Sequence, residues 1–581
     1  MASERESFHR DARPPLRGLL AIALVVTVLR VAYLALACPY TLAEDEAQYW
    51  VWSRMLDWSY YTKGPGVAWV IAASTAVFGD AEWAVRLPAA LAGGVAVFFV
   101  GLLGWDATRR ASVGLLSSVA FLCAPVYLSI ALLMTIDGPY VACWSVAAWA
   151  AHRALVLGKP RMWLVVGLAV GVGVLFKYTM LLFLAGLVAW WWLGRGEGRA
   201  EGRGGRGARA WVAIGAGLML VAFLPVVLWN QQYGWPTVRH LLGHLGVAGG
   251  DQQVTRSDGP TTMASVGAGV LRRVGWVATY VGTQAALLGP VLLLAIWQMA
   301  RVLRAVPGSV GEPGHARRSR ELLVAIALPM LLFYFAVSFV TEPEGNWPIA
   351  GQVTLMPLAA MRLVEALQGQ ERGRRFARLA WGASVAVGLC VGLGMLRVDV
   401  LARVPGLGFI PVGRLTNADD MAGHVRELRA DLRRETGMEP IVIAVHYGRA
   451  SQLWYYLDRL REAGEARGVV YCSSSLMPGG RTTPWDYWPR TNLRDPVQAG
   501  ALVGRAAVCV GLSGYHWEQA FARVEHVGAL RGDHKKNRHA YRCFVFRGFP
   551  AGGVREDVGA AVGGAGGLDD GGERLHGARE P

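Results

Sequence analysis

Apolar runs of roughly 16 to 26 residues recur through the first 400 positions, broken by short polar connections, and the rhythm stops near residue 397. Backbone inside hydrocarbon must satisfy its own hydrogen bonds, so runs of this length read as transmembrane helices rather than strands. The pattern predicts about eleven spans, at 18–38, 84–104, 111–131, 137–157, 161–176, 178–193, 211–229, 274–299, 321–340, 348–365 and 376–396. The short members require tilted or discontinuous helices. Two connections are long. The first, 39–83, carries WVWSRMLDWSYY and GVAWVIAASTAVFG, which read as two helices near the interface, with Trp50, Trp52, Trp58, Tyr60, Tyr61 and Trp69 as amphipathic material suited to that depth. The second, 230–273, contains the polar stretch GVAGGDQQVTRSDGP and reads equally as a flap or a plain connection.

Beyond 397 the period changes. PIVIAVHY (440–447), GVVYCSS (468–474), AAVCVGL (506–512) and YRCFVFRGF (541–549) read as strands, and ASQLWYYLDRLREAG (450–464) as a helix. The expected architecture is a polytopic α-helical membrane protein with a C-terminal soluble α/β or α+β domain. It divides into a cytoplasmic N-terminus (1–17), a transmembrane domain (18–396) with interfacial helices at 41–83, an extracytoplasmic domain (397–550) and a disordered tail (551–581) rich in Gly, Asp and Glu.

The hydrophobic set makes up 53% of the 581 residues and charged residues only 17%, too few to surface several soluble domains. A net charge of +16 would suit a nucleic-acid binder, but its distribution points elsewhere. Arg109–Arg110, Lys159–Arg161, the arginines of 195–209, Arg317–Arg318–Arg320 and those of 372–378 all fall in alternate connections, as the positive-inside rule demands. That orientation places the N-terminus inside and the tail outside. Arg10, Arg13 and Arg17 precede the first run, which is too long and lacks a convincing cleavage site for a signal peptide. Of seven cysteines, Cys472, Cys509 and Cys543 lie in the tail domain, where one disulfide and ordinary buried thiols are equally good readings. No spacing resembles a metal site. His240 and His244 share a helical face without a third ligand.

Candidate chemistry collects on the outer face. LAEDEAQYW sets Glu44, Asp45 and Glu46 beside a membrane-embedded helix end, a costly placement unless solvated or paired. A solvated loop rim explains the acids as well as a functional role does. The motifs that follow shift this balance. EDEAQYWVWSRML, YYTKGPGVAW and FGDAEWAVRLPAAL, then LLMTIDGPYVACWSVAAW, GVGVLFKYTMLLFLAG, LPVVLWNQQYGWPTV and FVTEPEGNWPIAG, occur in order over residues 40–355. Together they resemble the GT-C superfamily of polyprenyl-phosphate-sugar-dependent glycosyltransferases. Within it they are most similar to the bacterial branch related to dolichyl-phosphate-mannose protein mannosyltransferases and aminoarabinose transferases.

The resemblance implies Asp45 as the catalytic carboxylate, taking the acceptor's proton, with Glu46 beside it to orient it or bind acceptor. Lys63, in the YYTKGP block, would hold the leaving phosphate. Gly64 stands where the family usually has a proline, which loosens the expected rigidity of that loop. Tyr60 and Tyr61 read as walls for the donor or as interfacial anchors. Arg86 reads equally as a snorkelling side chain or a phosphate contact. Lys177, set between two apolar segments, is expected to pair with a phosphate or a carboxylate, with Tyr178 packed beside it. Asp137 reads as a helix cap or as a contact to sugar hydroxyls or a cation. Asn230, flanked by Trp229 and Trp235, is expected at the cavity or holding its loop. Glu344 and Asn346, near Glu342 and Trp347, are the polar candidates of the last block.

The function expected is inverting transfer of a sugar from a polyprenyl-phosphate carrier to a cell-envelope acceptor hydroxyl. It would take place on the extracytoplasmic face of the bacterial inner membrane, with no required cofactor or metal. The partners expected are the bilayer, the lipid-linked sugar, and a glycolipid or glycan acceptor in preference to protein, with no nucleic acid. A polyprenyl-linked glycan transporter or flippase would instead need inverted repeats or charge across the midplane, and neither is evident. A non-catalytic envelope assembly protein is the other alternative.

Overall fold

A computed structural model describes residues 13–193, 206–244, 263–304, 314–342, 344–408, 410, 412–461, 468–511, 513–532 and 538–555. The expected flap (246–260), most of the 195–209 arginines and most of the expected disordered tail (from 556) lie outside the described residues. The chain forms two compact units. One comprises Met1–Pro39 and Trp52–Ile410, the other Tyr40–Val51 and Pro411–Pro581.

The first unit is helical. Five described helices are long and apolar enough to cross a membrane, namely Leu16–Leu36, Glu82–Thr108, Gly207–Gln232, Gly314–Val337 and Glu371–Leu396. The pair Leu271–Leu288 and Val291–Arg304 adds a sixth if it is one span, bent by 111°. The expectation of eleven therefore does not hold by this measure, for geometric reasons. The runs at 111–131 and 161–176 become helices Ala111–Cys123 and Met162–Phe176, of 13 and 15 residues. At 1.5 Å per residue these reach about 20 Å, short of a hydrocarbon core of about 30 Å. Pro125 restarts the first of them as a separate turn, and Gly289–Pro290 breaks the run expected at 274–299. The run at 348–365 opens as a 3₁₀ turn, Gly351–Thr354, before helix Leu355–Leu367. Close approach holds the helices together: a Cβ on Gly167 would collide with the Gly215 carbonyl of the neighbouring long helix.

The aromatic residues of the first outer connection do not all sit at an interface. Helices form at Glu44–Arg54 and Gly66–Phe78, but Trp50, Trp52, Tyr60 and Tyr61 are buried, while Trp58 and Trp69 are exposed. Trp52 and Tyr60 stack at 4.3 Å, so their rings serve as core rather than as membrane anchors.

The second unit is built on a five-stranded mixed sheet. Its strands are β1 (Ile441–Ala444), β2 (Val470–Cys472), β3 (Ala507–Gly511), β4 (Phe521–Ala529) and β5 (His539–Phe546), in the order β2-β1-β3-β5-β4. β1 pairs in parallel with β2 and β3, whereas β5 runs antiparallel to β3 and β4. The inner strands β1 and β3 are buried along their whole length, which explains their continuous Val, Ile and Ala runs. The edge strand β4 is largely exposed and polar, so its sequence carries no comparable apolar run. Helices Ala418–Thr436 and Tyr447–Arg459 belong to this unit. Cys472, Cys509 and Cys543 are buried free thiols rather than disulfide partners.

Candidate active site

In the first unit, three sequence blocks far apart in the chain converge on one carboxylate. Asp137 opens helix Asp137–Leu155, and only 3% of it is exposed. Its Oδ1 pairs with Lys177 Nζ at 2.9 Å and its Oδ2 accepts from Asn346 Nδ2 at 2.7 Å. Lys177 occupies the break between helix Met162–Phe176 and the following 3₁₀ turn, in an extended conformation that turns its side chain out of the helical run. The Tyr140 ring, one turn after Asp137, lies 5.7 Å from Lys177 Nζ. A charge pair this buried persists because each member compensates the other's desolvation. Lys177 spends one of its three donors on Asp137.

The Lys63 segment docks beside the Lys177 segment. Ser59 Oγ lies 3.4 Å from Tyr178 Oη. A Cβ on Gly64 would collide with the backbone carbonyl of Leu175, two residues before Lys177. Gly64 thus does not loosen the loop as expected; the missing side chain is what lets two backbones touch. Lys63 is half-buried beside it.

Other candidates are engaged in holding the scaffold. Tyr60 Oη donates to the Trp52 carbonyl at 3.0 Å and closes the end of helix Glu44–Arg54. The Tyr61 ring centroid lies 4.9 Å from that of His240. Asn230 uses both ends of its amide locally, donating to the Val226 carbonyl at 3.0 Å and accepting from Thr237 N at 3.1 Å. It therefore holds the turn into helix Pro236–His244. Arg86 is 1% exposed, with Nη1 3.5 Å from Cys38 Sγ, so it does not snorkel to water. Glu344 is exposed on the turn that carries Asn346. Asp57, which the sequence did not single out, accepts from Trp229 Nε1 at 2.8 Å.

The three acids of residues 44–46 belong to the second unit and have three different environments. All lie in the first turn of helix Glu44–Arg54, where the helix dipole favours negative charge. Glu46 is fully buried, and its Oε2 accepts from Ala43 N at 3.0 Å. Glu44 lies 3.5 Å from Arg449 Nη1 and 3.6 Å from His446 Nδ1. Asp45 is the exposed one. The segment is gripped by helix Tyr447–Arg459: Leu42 N donates to Tyr456 Oη at 2.7 Å, and Gln452 Nε2 donates to the Leu42 carbonyl at 2.9 Å. Gln452 Oε1 in turn accepts from Arg449, which is 3% exposed, at 2.8 Å. Arg449 and Gln452 carry no motif, and the helix expected at 450–464 begins after Arg449. Among the described residues, no three His, Cys, Asp or Glu side chains gather as a metal site.

Comparison with known proteins gives this arrangement a class. The structure resembles that of ArnT from Cupriavidus metallidurans bound to undecaprenyl phosphate, with a TM-score of 0.59 at 15% identity over 90% of this chain and 97% of the other. The apo form of ArnT from the same organism gives 0.57 over the same shares. A family model described as dolichyl-phosphate-mannose-protein mannosyltransferase matches residues 62–229. The fold is therefore that of ArnT, in a multi-pass membrane protein with a large extramembranous domain. RgtD, a lipid A galacturonosyltransferase of Rhizobium johnstonii, is 28% identical over 363 residues, covering 60% of this chain and 66% of RgtD. An undecaprenyl phosphate-alpha-4-amino-4-deoxy-L-arabinose arabinosyl transferase of Erwinia tasmaniensis is 32% identical over 133 residues, or 22% and 24% of the two chains. The matched stretches thus span about two thirds of the one relative and about a quarter of the other. Over parts of its length, this chain is thus similar to the protein mannosyltransferases and the aminoarabinose transferases.

Proposed function

We propose that the protein is an inverting glycosyltransferase that moves a sugar from a polyprenyl-phosphate carrier to a hydroxyl of a cell-envelope glycolipid. The reaction would run on the extracytoplasmic face of the inner membrane. The observation that carries the reading is the Lys177–Asp137–Asn346 cluster, which unites three blocks of the GT-C signature around the buried Asp137 carboxylate and the ammonium group it orients. The positive-inside charge pattern supports the orientation. The match to a lipid A galacturonosyltransferase favours a glycolipid acceptor over a protein.

In this reaction the acceptor hydroxyl attacks the anomeric carbon as its proton passes to the Asp45 carboxylate. The bond from that carbon to the phosphate oxygen breaks, and its electron pair leaves with the polyprenyl phosphate. Direct displacement inverts the centre and needs no second carboxylate nucleophile. Asp45 suits the role of base because it is open to solvent, where an acceptor hydroxyl can reach it, whereas Glu46 is fully buried. Lys63 and Lys177 supply positive charge for the departing phosphate, which costs least when it is oriented in advance. Asp137 and Asn346 position Lys177.

The test is reconstitution of the full chain in lipid with candidate polyprenyl-phosphate sugars and envelope glycolipids, with mass analysis of both products. Asp45→Asn should reduce transfer by about 10²–10⁴-fold, with carrier binding retained. Lys63→Ala should weaken donor use. Wild-type rates in the asparagine variant, or a defect in the alanine variant confined to the acceptor, would remove those assignments.

A further inference from the structure

A cavity of about 980 Å³ opens in the helical unit where Thr108–Arg110, Trp297–Arg301, His315–Arg320 and Met361–Gly373 meet. It lies at the opposite end of the bundle from the Lys177 cluster. Helix Asp137–Leu155 carries Asp137 at its first residue and leads, at its other end, to Leu157 in the cavity wall. At 1.5 Å per residue, those ends are about 28 Å apart. The charge of the lining is one-sided: Arg109, Arg110, Arg301, Arg320 and Arg362 face a single carboxylate, Glu365.

Glu365 gathers three of these guanidinium groups. Arg301 Nη1 reaches its Oε2 at 2.7 Å, Arg362 Nη1 reaches the same oxygen at 3.4 Å, and Arg320 bonds to Oε1. Asp106, behind the wall, pairs with Arg109 at 3.2 Å. One carboxylate shared among three arginines leaves donors in excess. Arg362 is 9% exposed and lies 3.5 Å from the Trp297 ring centroid, and its Nε has no partner among the described residues. A buried guanidinium packed over an indole, with a donor unspent, is arranged for a planar or tetrahedral oxyanion. Val113, Leu157, Met361 and Val364 form an apolar part of the wall, and Thr108, His315, Gln368 and Gln370 a polar part.

We propose that this cavity binds the phosphate ester of an anionic phospholipid headgroup. The arginines engage the phosphate, while Trp297 and the aliphatic wall take the glycerol and the first methylenes. A soluble phosphate ester would meet the same donors, but it has no use for the apolar wall. Basic pockets among helix ends, at the side where arginine-rich connections gather, are suited to lipid phosphates. Glu365 keeps the guanidinium groups together when the pocket is empty and is the group a phosphate must compete with.

The proposal is tested on the full-length protein released from micelles containing equal phosphatidylglycerol and phosphatidylcholine, with retained lipid counted by native mass spectrometry. The wild type should retain phosphatidylglycerol selectively, and Arg110→Gln with Arg301→Gln should weaken retention at least about tenfold. These two side chains are not buried, so the pair of substitutions spares the core. Arg362→Lys, which keeps the charge but loses the fork, should weaken it too, and Glu365→Gln should strengthen it. A parallel arm adds glycerol 3-phosphate and inorganic phosphate at millimolar concentration. Displacement of the lipid by either would overturn the lipid assignment in favour of a soluble ester. Equal retention of both lipids, or retention unchanged in the arginine variants, would overturn the site itself.

Discussion

Asp137 shows how much a single buried side chain can organise. Both of its oxygens are committed, one to an ammonium and one to an amide. Removing one partner of such a pair strands the other charge and costs about 3–5 kcal/mol. Asp137→Ala and Lys177→Ala should therefore each destabilise the protein strongly, and the double variant should lose less than the two together. A double-mutant cycle of unfolding free energies in mixed micelles measures this coupling; additivity within about 0.5 kcal/mol would mean the pair is not coupled. Asp137, Lys177 and Asn346 were legible as chemistry because each sits in a recognisable block. That they bond to one another was not, because spacings of 40 and 209 residues say nothing of contact. Arg449 and Gln452 were invisible for the converse reason. Their contacts are as specific, but they lie in an ordinary amphipathic helix.

At the scale of elements, hydropathy found the helices but overstated their reach. A window of apolar residues does not register the proline at 125, the Gly289–Pro290 break or the 3₁₀ start at Gly351, each of which shortens a continuous span. The sheet was read well where strands are buried on both faces and missed at β4, whose edge position permits a polar sequence. Gly64 is the instructive residue of the 39–83 connection. Read as a point of looseness, it is instead a close contact between two backbones. Gly64→Ala should cost about 1–3 kcal/mol through overpacking. It should also lower donor use by displacing Lys63, read as a rise in KM for the lipid-linked sugar together with a lower melting temperature. An unchanged KM would show that the contact does not place Lys63.

At the scale of the whole molecule, the division into units does not follow the order of the chain. Residues 40–51, which carry the three acids, group with residues beyond 410. The C-terminal unit thus acquires a role that its sequence did not suggest, as the holder of an acidic segment encoded near the other end of the chain. Arg449→Ala should leave Glu44 and Gln452 without their common partner and lower kcat at least about tenfold. Little change in KM for donor is expected, and Arg449→Lys should restore part of the rate by replacing the charge. A steady-state comparison of the three proteins decides this; wild-type kinetics in the alanine variant would reduce Arg449 to a packing residue.

The bond from Gln452 to Leu42 joins positions 410 residues apart. At synthesis speeds of about 5–20 residues per second, Leu42 and its neighbouring acids emerge roughly 20–80 s before the helix that grips them. For that interval a nascent chain can thread its early helices into the membrane without an assembled acidic segment.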